Sequence, residues 1–288
     1  MDKQILFTDS NQQEFTAQDV LDRLQSIGAA DCEILFIHTD ILFGRPNASL
    51  GRKGYLRALY QILLELKVPT LIFPAFTYSF PNGEVFDVRN SRTSMGALIE
   101  YIRNIHPAGG YRSLDPLLSL LTIGKQTDLM AGKLGNHCFG PDSGFDRLHH
   151  QKNVKFLFFG ADFAECFTYI HYIEKVMDVP YRFDKSFTGT IIGYDGQACE
   201  HTHTIHTQCG GVVLKNFSQL KSELLQAGYL KSTRIGDLET VCIAEPDIYR
   251  EVKNRITSDP FTFVYPYVSG DLTHEYTFGK NGERVTHC

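Results

Sequence analysis

Three short apolar runs, separated by segments with helical periodicity, constrain the fold of this chain most strongly. The runs at 34–37, 70–73 and 154–159 have the length and composition of strands that are buried on both faces. Apolar residues recur at helical spacing after Thr16, which predicts a helix there. Further helices are predicted over 57–66, 94–103 and 167–177. Strands that alternate with helices form a largely parallel sheet with helices on its faces. We therefore predict an α/β fold with a mostly parallel central sheet and flanking helices.

The pattern changes after about residue 186. Short runs in which polar residues alternate, such as 201–205, predict antiparallel strands and a smaller antiparallel C-terminal subdomain. No repeat or linker-like tract interrupts the 288 residues, which are enough for one large hydrophobic core. We predict one domain over residues 1–288.

Composition argues against several classes of partner. The net charge is −5 and no basic stripe is present, so neither a nucleic acid nor an anionic membrane surface is expected as a partner. No apolar run is long enough to span a bilayer, and the first fifteen residues lack the apolar centre of a secretory signal. The seven cysteines are widely spaced, without a C-x-x-C pair, which is typical of reduced thiols. These features predict a cytoplasmic protein.

The residues that follow the buried strands are the candidates for a functional site, because ligands of open α/β sheets bind beyond the carboxyl ends of the strands. His171 and Glu174 lie one helical turn apart on one face of a predicted helix, and Thr168 shares that face. A surface ion pair is the ordinary interpretation of such a pair. The functional interpretation is a general base that a carboxylate orients.

Two other histidine settings leave alternatives open. His201 and His203 share one face of a predicted strand and could bind one metal ion, whereas His206 faces the other side. A solvated polar strand face is the ordinary alternative. His38 ends a buried strand, and the segment after it could present backbone N–H groups and the cation of Arg45 to a phosphate.

Six segments, in order, resemble motifs of the aminoglycoside 3-N-acetyltransferase family, also called the antibiotic N-acetyltransferase family. The resemblance runs from Ile34 to about Phe263, and the residues from about 264 extend beyond it. The segments are FIHTDILFG, IFPAFTYSF, VFDVRNSRTSMGALIEYIR, GYRSLDPLLSLLTIG, HCFGPDSGFDRL and FGADFAECFTYIHYIE. Each motif is weak alone, but six in the same order are a strong indication.

The resemblance implies direct transfer of an acetyl group from acetyl-CoA, or another short acyl-CoA, to an amine of a small polar acceptor. It implies that His171 is the general base, that Glu174 orients it, and that Thr168 lies near the thioester. The implied contacts of the cofactor are His38, Thr39, Asp40, Gly44, Arg45, Phe76, Thr77, Arg112 and Ser113. Acidic residues expected to contact the acceptor are Asp87, Asp115, Asp142, Asp146 and Glu165. We expect no metal in the reaction, and a homodimer is compatible with the family.

Departures from the family pattern bear on the acceptor. Asp115 stands where the family usually has histidine, Gly144 stands where proline is usual, and Asp40 replaces a small hydroxyl residue. These changes favour an aminosugar of a surface polysaccharide or secondary metabolite over an aminoglycoside drug. The alternatives are a resistance acetyltransferase proper, a metal-dependent hydrolase or deacylase that uses His201, His203 and His206, and a non-catalytic binding protein of this fold.

Overall fold

A six-stranded mixed sheet forms the centre of the fold. The computed structural model describes residues 4–78, 80–106, 111–210, 212–265, 277–278 and 284–285. Most of the predicted extension after residue 264 lies outside these residues.

The strands and helices follow one another along the chain in an order close to that predicted. The strands are β1 (Ile5–Thr8), β2 (Glu14–Thr16), β3 (Ile34–Thr39), β4 (Arg45–Pro46), β5 (Thr70–Pro74), β6 (Phe86–Asp87), β7 (Leu120–Gly124), β8 (Val154–Phe159), β9 (Arg182–Ile192), β10 (Ala198–Gln208), β11 (Lys231–Ile235), β12 (Leu238–Ala244), β13 (Thr277–Phe278) and β14 (Arg284–Val285). The helices are α1 (Ala17–Ser26), α2 (Gly51–Glu65), α3 (Ala97–Ile105), α4 (Gly144–His149), α5 (Phe163–Cys166), α6 (Ile170–Val176), α7 (Ser218–Gln226) and α8 (Glu245–Ser258).

The central sheet has the order β11-β12-β8-β3-β5-β7. Its middle strands β8, β3 and β5 are parallel, and they are the three apolar runs of the sequence. The outer strands β7, β12 and β11 run antiparallel to their neighbours. The sheet is thus α/β as predicted but mixed, because only its three middle strands are parallel to one another. The edge strand β11 carries Lys231 and Arg234, and charged residues of this kind protect an open edge from further pairing.

Alternation along β3 divides the core into two layers. Ile34 and Phe36 pack with residues of α4, α6, α7 and α8 on one face of the sheet. Leu35 and Ile37 pack with residues of α1, α2 and α3 on the other face. Successive side chains of a strand point to opposite faces, so a continuous apolar run is what a doubly covered strand requires.

A second, three-stranded sheet has the order β10-β9-β6. Its main part is a long antiparallel hairpin in which Arg182 pairs with Gln208 and Ile192 with Ala198. This hairpin is the antiparallel structure predicted for the residues after 186. The chain then returns to the central sheet through α7, β11, β12 and α8. Among the residues that the structure describes, no helix is both long and apolar enough to cross a membrane.

Candidate active site

The predicted pair of His171 and Glu174 lies beyond the carboxyl end of β8. Gly160 ends this strand with a φ of 73°, and a Cβ atom there would lie only 2.3 Å from the carbonyl oxygen of Asp40. A side chain at this turn would therefore separate the ends of β8 and β3. The short helix α5 follows, capped by the carboxylate of Asp162, and α6 then carries His171 and Glu174.

The two side chains form a hydrogen-bonded dyad in which Glu174 is buried and His171 is partly exposed. Nδ1 of His171 lies 2.8 Å from Oε2 of Glu174, whose side chain is fully buried. The hydroxyl of Tyr181 donates to the other carboxylate oxygen of Glu174 at 2.7 Å. Burial alone would raise the pKa of Glu174, but Arg182, His171 and Tyr181 together lower it to about 2. The carboxylate is therefore ionised, and the side chains around it restrict its orientation.

Arg182 is a third member of this group that the sequence did not reveal. Its Nε lies 2.6 Å from Oε2 of Glu174, and its Nη2 lies 2.8 Å from Nδ1 of His171. The guanidinium is almost completely buried. Burial lowers the pKa of His171, Arg182 lowers it further, and Glu174 opposes both effects. The net result is an imidazole that stays neutral more readily than an exposed one.

A cavity of about 250 Å³ opens beside the dyad. On its wall are Glu165 of α5, His171 of α6 and Thr168, which lies in the turn before α6 rather than on the helix as predicted. The hairpin adds Arg182, Ile205, His206 and Thr207. Tyr78, Leu118 and Phe139 complete the lining. The cavity therefore brings together the three predicted catalytic or acceptor-binding residues that belong to the segment 165–171.

His206 is a further residue of this cavity to which sequence analysis gave a different role. Its Nδ1 lies 2.8 Å from Oδ1 of Asp184, and its Nε2 is buried with no hydrogen-bond partner among the described protein groups. Burial lowers the pKa of His206 to about 4, although the hydrogen bond to Asp184 opposes this shift. The ring is therefore neutral near neutral pH. Its position opposite Asp184 across the hairpin could not be read from the strand pattern alone.

A second cavity, of about 540 Å³, lies at the carboxyl ends of β3 and β5. Three predicted cofactor residues, His38, Thr39 and Asp40, line it. The start of α3 at 96–98 also lines it, and no side chain caps this helix end. The segment 161–166 forms a further part of the wall, so the chain between β8 and α6 contributes to both cavities.

Six other predicted cofactor residues do not line these cavities in the structure. The guanidinium of Arg112 is buried and donates to Ser119 Oγ and to the carbonyl groups of Ser91 and Ala75, which leaves it poorly placed for a phosphate. Ser113 accepts a hydrogen bond from a backbone N–H of the adjoining strand. The remaining residues are Phe76 in the core, Thr77 bonded to the carbonyl of Pro116, and Gly44 and Arg45 next to β1.

Of the five acidic residues predicted to contact the acceptor, Glu165 lines the cavity beside the dyad. The other four are engaged elsewhere within the described structure. Asp87 accepts hydrogen bonds within its own turn, and Asp142 adopts a positive φ of 62° in the turn before α4. Asp146 accepts from the hydroxyl of Tyr172, and Asp115 lies in a buried group with Cys138 and His203. Asp87 and Asp142 thus have turn roles of the kind that aspartate commonly has.

The three histidines of β10 do not converge on one point. Nε2 of His201 lies 3.3 Å from Nδ1 of His203, whereas His206 is bonded to Asp184 on the other face of the strand. Within the described residues, the group whose ligand atoms could share a metal ion is Asp115, Cys138 and His203. A hydrolase centre built from His201, His203 and His206 is therefore not formed.

Comparisons with known proteins agree with this fold and with the dyad beside two adjoining cavities. A sequence model of the aminoglycoside 3-N-acetyltransferase family matches residues 49–257, so the fold and the match define an N-acetyltransferase. The chain belongs to the aminoglycoside 3-N-acetyltransferase family. A comparison with curated proteins found no match.

Solved structures share the fold at low sequence identity. The aminoglycoside acetyltransferase AAC-IIIb, in a binary complex with CoASH, is 19% identical with a TM-score of 0.69, over 88% of this chain and 99% of its own. AAC-VIa bound to sisomicin is 17% identical with a TM-score of 0.68, over 85% and 98%. The YokD protein from Bacillus subtilis is 16% identical with a TM-score of 0.67, over 85% and 94%.

Proposed function

We propose that this protein transfers an acetyl group from acetyl-CoA directly to an amine of an aminosugar, with His171 as the general base. The observation that carries the proposal is the dyad in which buried Glu174 bonds His171, whose partly exposed ring lines the smaller cavity. An acyl transfer to an amine requires a neutral base at the point where the amine meets the thioester.

The two nitrogens of the imidazole have different roles in the proposed reaction. The base is the tautomer in which Nδ1–H donates to Glu174, and in this tautomer Arg182 Nη2 cannot also donate to Nδ1. The lone pair of His171 then lies on Nε2 and accepts a proton from the attacking amine. The amine nitrogen then bonds to the carbonyl carbon of the thioester, and the carbon–sulfur bond breaks. The imidazolium returns its proton to the departing sulfur, which leaves as a thiol. Glu174 stabilises the imidazolium while it exists, and Arg182 keeps that cation acidic enough to lose its proton again.

The larger cavity is our candidate for the acyl-CoA. AAC-IIIb, which shares this fold, was solved with CoASH. The uncapped N–H groups at the start of α3 suit an anionic or carbonyl oxygen, because the end of a helix carries partial positive charge. His38, Thr39 and Asp40 would contact the pantetheine part, and Thr168 would lie near the thioester.

The smaller cavity is our candidate for the acceptor. A volume of about 250 Å³ is below the range of about 300–1,000 Å³ that is usual for drug-sized ligands, so it suits one sugar ring better than several. Glu165 and Thr168 offer acceptors to the hydroxyl and amine groups of such a ring, and His206 and Thr207 are buried parts of the same wall. AAC-VIa, of the same fold, was solved with sisomicin, so a larger aminoglycoside is the second candidate acceptor.

The first test separates binding from chemistry. Acetyl-CoA is titrated calorimetrically into the wild-type protein and the His171→Ala variant, and the transfer rate is measured with an amine acceptor. We expect similar affinities and a fall in kcat of about 10²–10⁴, the usual value of acid–base catalysis. His149→Ala is the matched control, since His149 also bonds a buried carboxylate, that of Glu245, and lines neither cavity. A His171→Ala variant with the wild-type rate would refute the proposal.

The second test concerns the acceptor. Single-ring aminosugars and gentamicin-type compounds are compared at equal concentration by kcat/KM. We expect the single-ring amines to be acetylated at least as efficiently. Efficient acetylation of the multi-ring compounds, with no activity on single rings, would replace the aminosugar by an aminoglycoside.

A further inference from the structure

A buried group of metal-ligand side chains lies outside both cavities. Asp115 comes from the loop before β7, Cys138 from the loop before α4, and His203 from the middle of β10. One ligand atom of each lies within 4.8 Å of the others, and all three residues are buried. Nε2 of His203 lies 3.3 Å from Oδ1 of Asp115, and Sγ of Cys138 lies 3.9 Å from the same oxygen.

Hydrogen bonding accounts for only part of this arrangement, because Sγ of Cys138 can donate to Oδ1 of Asp115 but Nε2 of His203 is left without a partner within the described residues. Nε2 of His203 is fully buried and, despite its distance from Asp115, has no hydrogen-bond partner of acceptable geometry among the described groups. A buried nitrogen without a partner is costly. A cation bound by this nitrogen, the carboxylate oxygen and the sulfur would give the nitrogen the partner that it lacks.

The spacing fits a tetrahedral ion. Zinc binds histidine nitrogen and carboxylate oxygen at about 2.0–2.1 Å and cysteine sulfur at about 2.3 Å, so its ligand atoms lie roughly 3.3–3.6 Å apart. The observed separations of 3.3 and 3.9 Å are close to these values. Thiolate and imidazole together favour zinc over magnesium or calcium. Zinc with one thiolate, one carboxylate and one neutral imidazole carries no net charge, which makes its burial feasible.

Neighbouring groups already orient the ligands. Nδ1 of His203 lies 3.3 Å from Nε2 of His201, so Nδ1–H can donate there while Nε2 faces the ion. The backbone N–H groups of Leu117 and Leu118 donate to Oδ1 of Asp115 at 2.8 and 2.7 Å. Zinc ligands are commonly held by hydrogen bonds of this kind.

We propose that Asp115, Cys138 and His203 supply three ligands to one structural zinc ion. Binding displaces the thiol proton of Cys138 to solvent and forms the zinc–sulfur bond, and the ion enters while the chain folds. The cavity beside His171 is lined by Leu118, Phe139 and Ile205, and each of these lies within three residues of a ligand in the sequence. The ion would therefore fix that wall without taking part in the acyl transfer.

The wild-type chain provides the first test, without any activity assay. The protein is expressed with zinc in the medium, passed through metal-free buffer and measured for zinc by mass spectrometry, and a second sample is loaded with cobalt. We expect stoichiometric metal, a thiolate-to-cobalt absorption band and a lower Tm after chelation. Substoichiometric metal that a metal-free buffer removes, with no such band, would overturn the proposal.

Variants identify the ligands. Cys138→Ala should lose the thiolate-to-cobalt band, whereas Cys32→Ala, which removes a buried thiol in the opposite core layer, should keep it. His201→Ala leaves all three ligands in place and should weaken zinc binding by about 10–100-fold, the usual effect of losing an orienting group. A band that persists in Cys138→Ala would show that the metal lies elsewhere and would refute this site.

Discussion

Arg182 changes the basicity of His171, the general base that we propose. A histidine that faces only a carboxylate gains stability as a cation, and its pKa rises. Here the carboxylate of Glu174 is shared with a guanidinium at 2.6 Å, which compensates its charge. The pKa of His171 is lowered by burial and by Arg182. The imidazole consequently remains neutral at lower pH, at the cost of weaker basicity.

The pH dependence of the reaction should therefore depend on Arg182. Replacing it in Arg182→Gln removes the cation, so the pKa of His171 should rise and the acid limb of kcat/KM should move to higher pH. Arg182→Lys keeps the charge and should remain closer to the wild type in this respect. The measurement is the pH profile of kcat/KM with a saturating donor. An acid limb that is the same in all three proteins would show that Arg182 has only a structural role.

Residues that interact within one helix were predictable, and residues that meet across elements were not. His171 and Glu174 are three positions apart on α6, so the geometry of a helix alone brings them together. Arg182 reaches them only because β9 begins beside α6. Arg112 was predicted as a cofactor contact from its motif, but its bonds to Ser119, Ser91 and Ala75 depend on how three separate segments pack.

At the scale of elements, the hairpin of β9 and β10 is positioned by a close contact with the short helical turn Phe80–Asn82. Gly189 lies in the middle of β9, and a Cβ atom there would lie 2.7 Å from the ring of Phe80. Phe80 is itself buried. The absence of a side chain at position 189 allows the hairpin to approach, and the hairpin brings Arg182 and His206 to the cavity.

A methyl group at this contact should destabilise the protein. We expect Gly189→Ala to lower the free energy of unfolding by about 1–3 kcal/mol, as overpacking does, and by less in a Phe80→Leu background, where there is more room. Gly54→Ala is the control of opposite sign, because this position in α2 accommodates a Cβ and should gain about 0.5–1 kcal/mol. Urea unfolding of the four variants measures these differences. An equal loss for Gly189→Ala in both backgrounds would contradict the proposed contact.

The elements themselves were largely predictable because each has a local cause. The helix after Thr16 begins with a capping box in which Thr16 and Asp19 bond each other's backbone, and Gly28 follows its end. The buried strands were apparent from their unbroken apolar runs. The antiparallel outer strands were not, since β7 and β12 pair with strands distant in the sequence, β5 and β8. The short hairpin of β11 and β12 was not identified from the sequence either.

At the scale of the whole molecule, buried neutral histidines connect stability to pH. Burial lowers the pKa of His38 to about 3, and its ring stacks on Phe158 with centroids 5.0 Å apart. In the unfolded chain the pKa of histidine is about 6.5. Below that value the unfolded state binds a proton that the folded state does not. The stability that neutral His38 contributes is therefore complete above pH 6.5 and is lost as the pH falls towards 3.

This effect can be isolated between pH 6.5 and 5. As the pH falls over this interval, the buried neutral ring of His38 should lower the free energy of unfolding by about 1.5 kcal/mol. Carboxylates such as Glu174, with a pKa of about 2, affect stability mainly at lower pH. His38→Phe should lose that much less stability between the two pH values, and His150→Gln, on the surface, should behave as the wild type. Chemical unfolding at each pH provides the values. A His38→Phe variant with the full wild-type loss would rule out His38 as the cause.

The segment 161–168 lies between the two cavities and forms part of the wall of each. A ligand that shifts this short segment on one side changes the space and the polar groups available on the other. The binding free energies of the two ligands are then coupled, and thermodynamics requires the coupling to be reciprocal. If the two cavities bind the proposed donor and acceptor, a donor that raises the affinity for the acceptor by some factor has its own affinity raised by the same factor when the acceptor is bound. The order in which they arrive is consequently set by their concentrations and association rates.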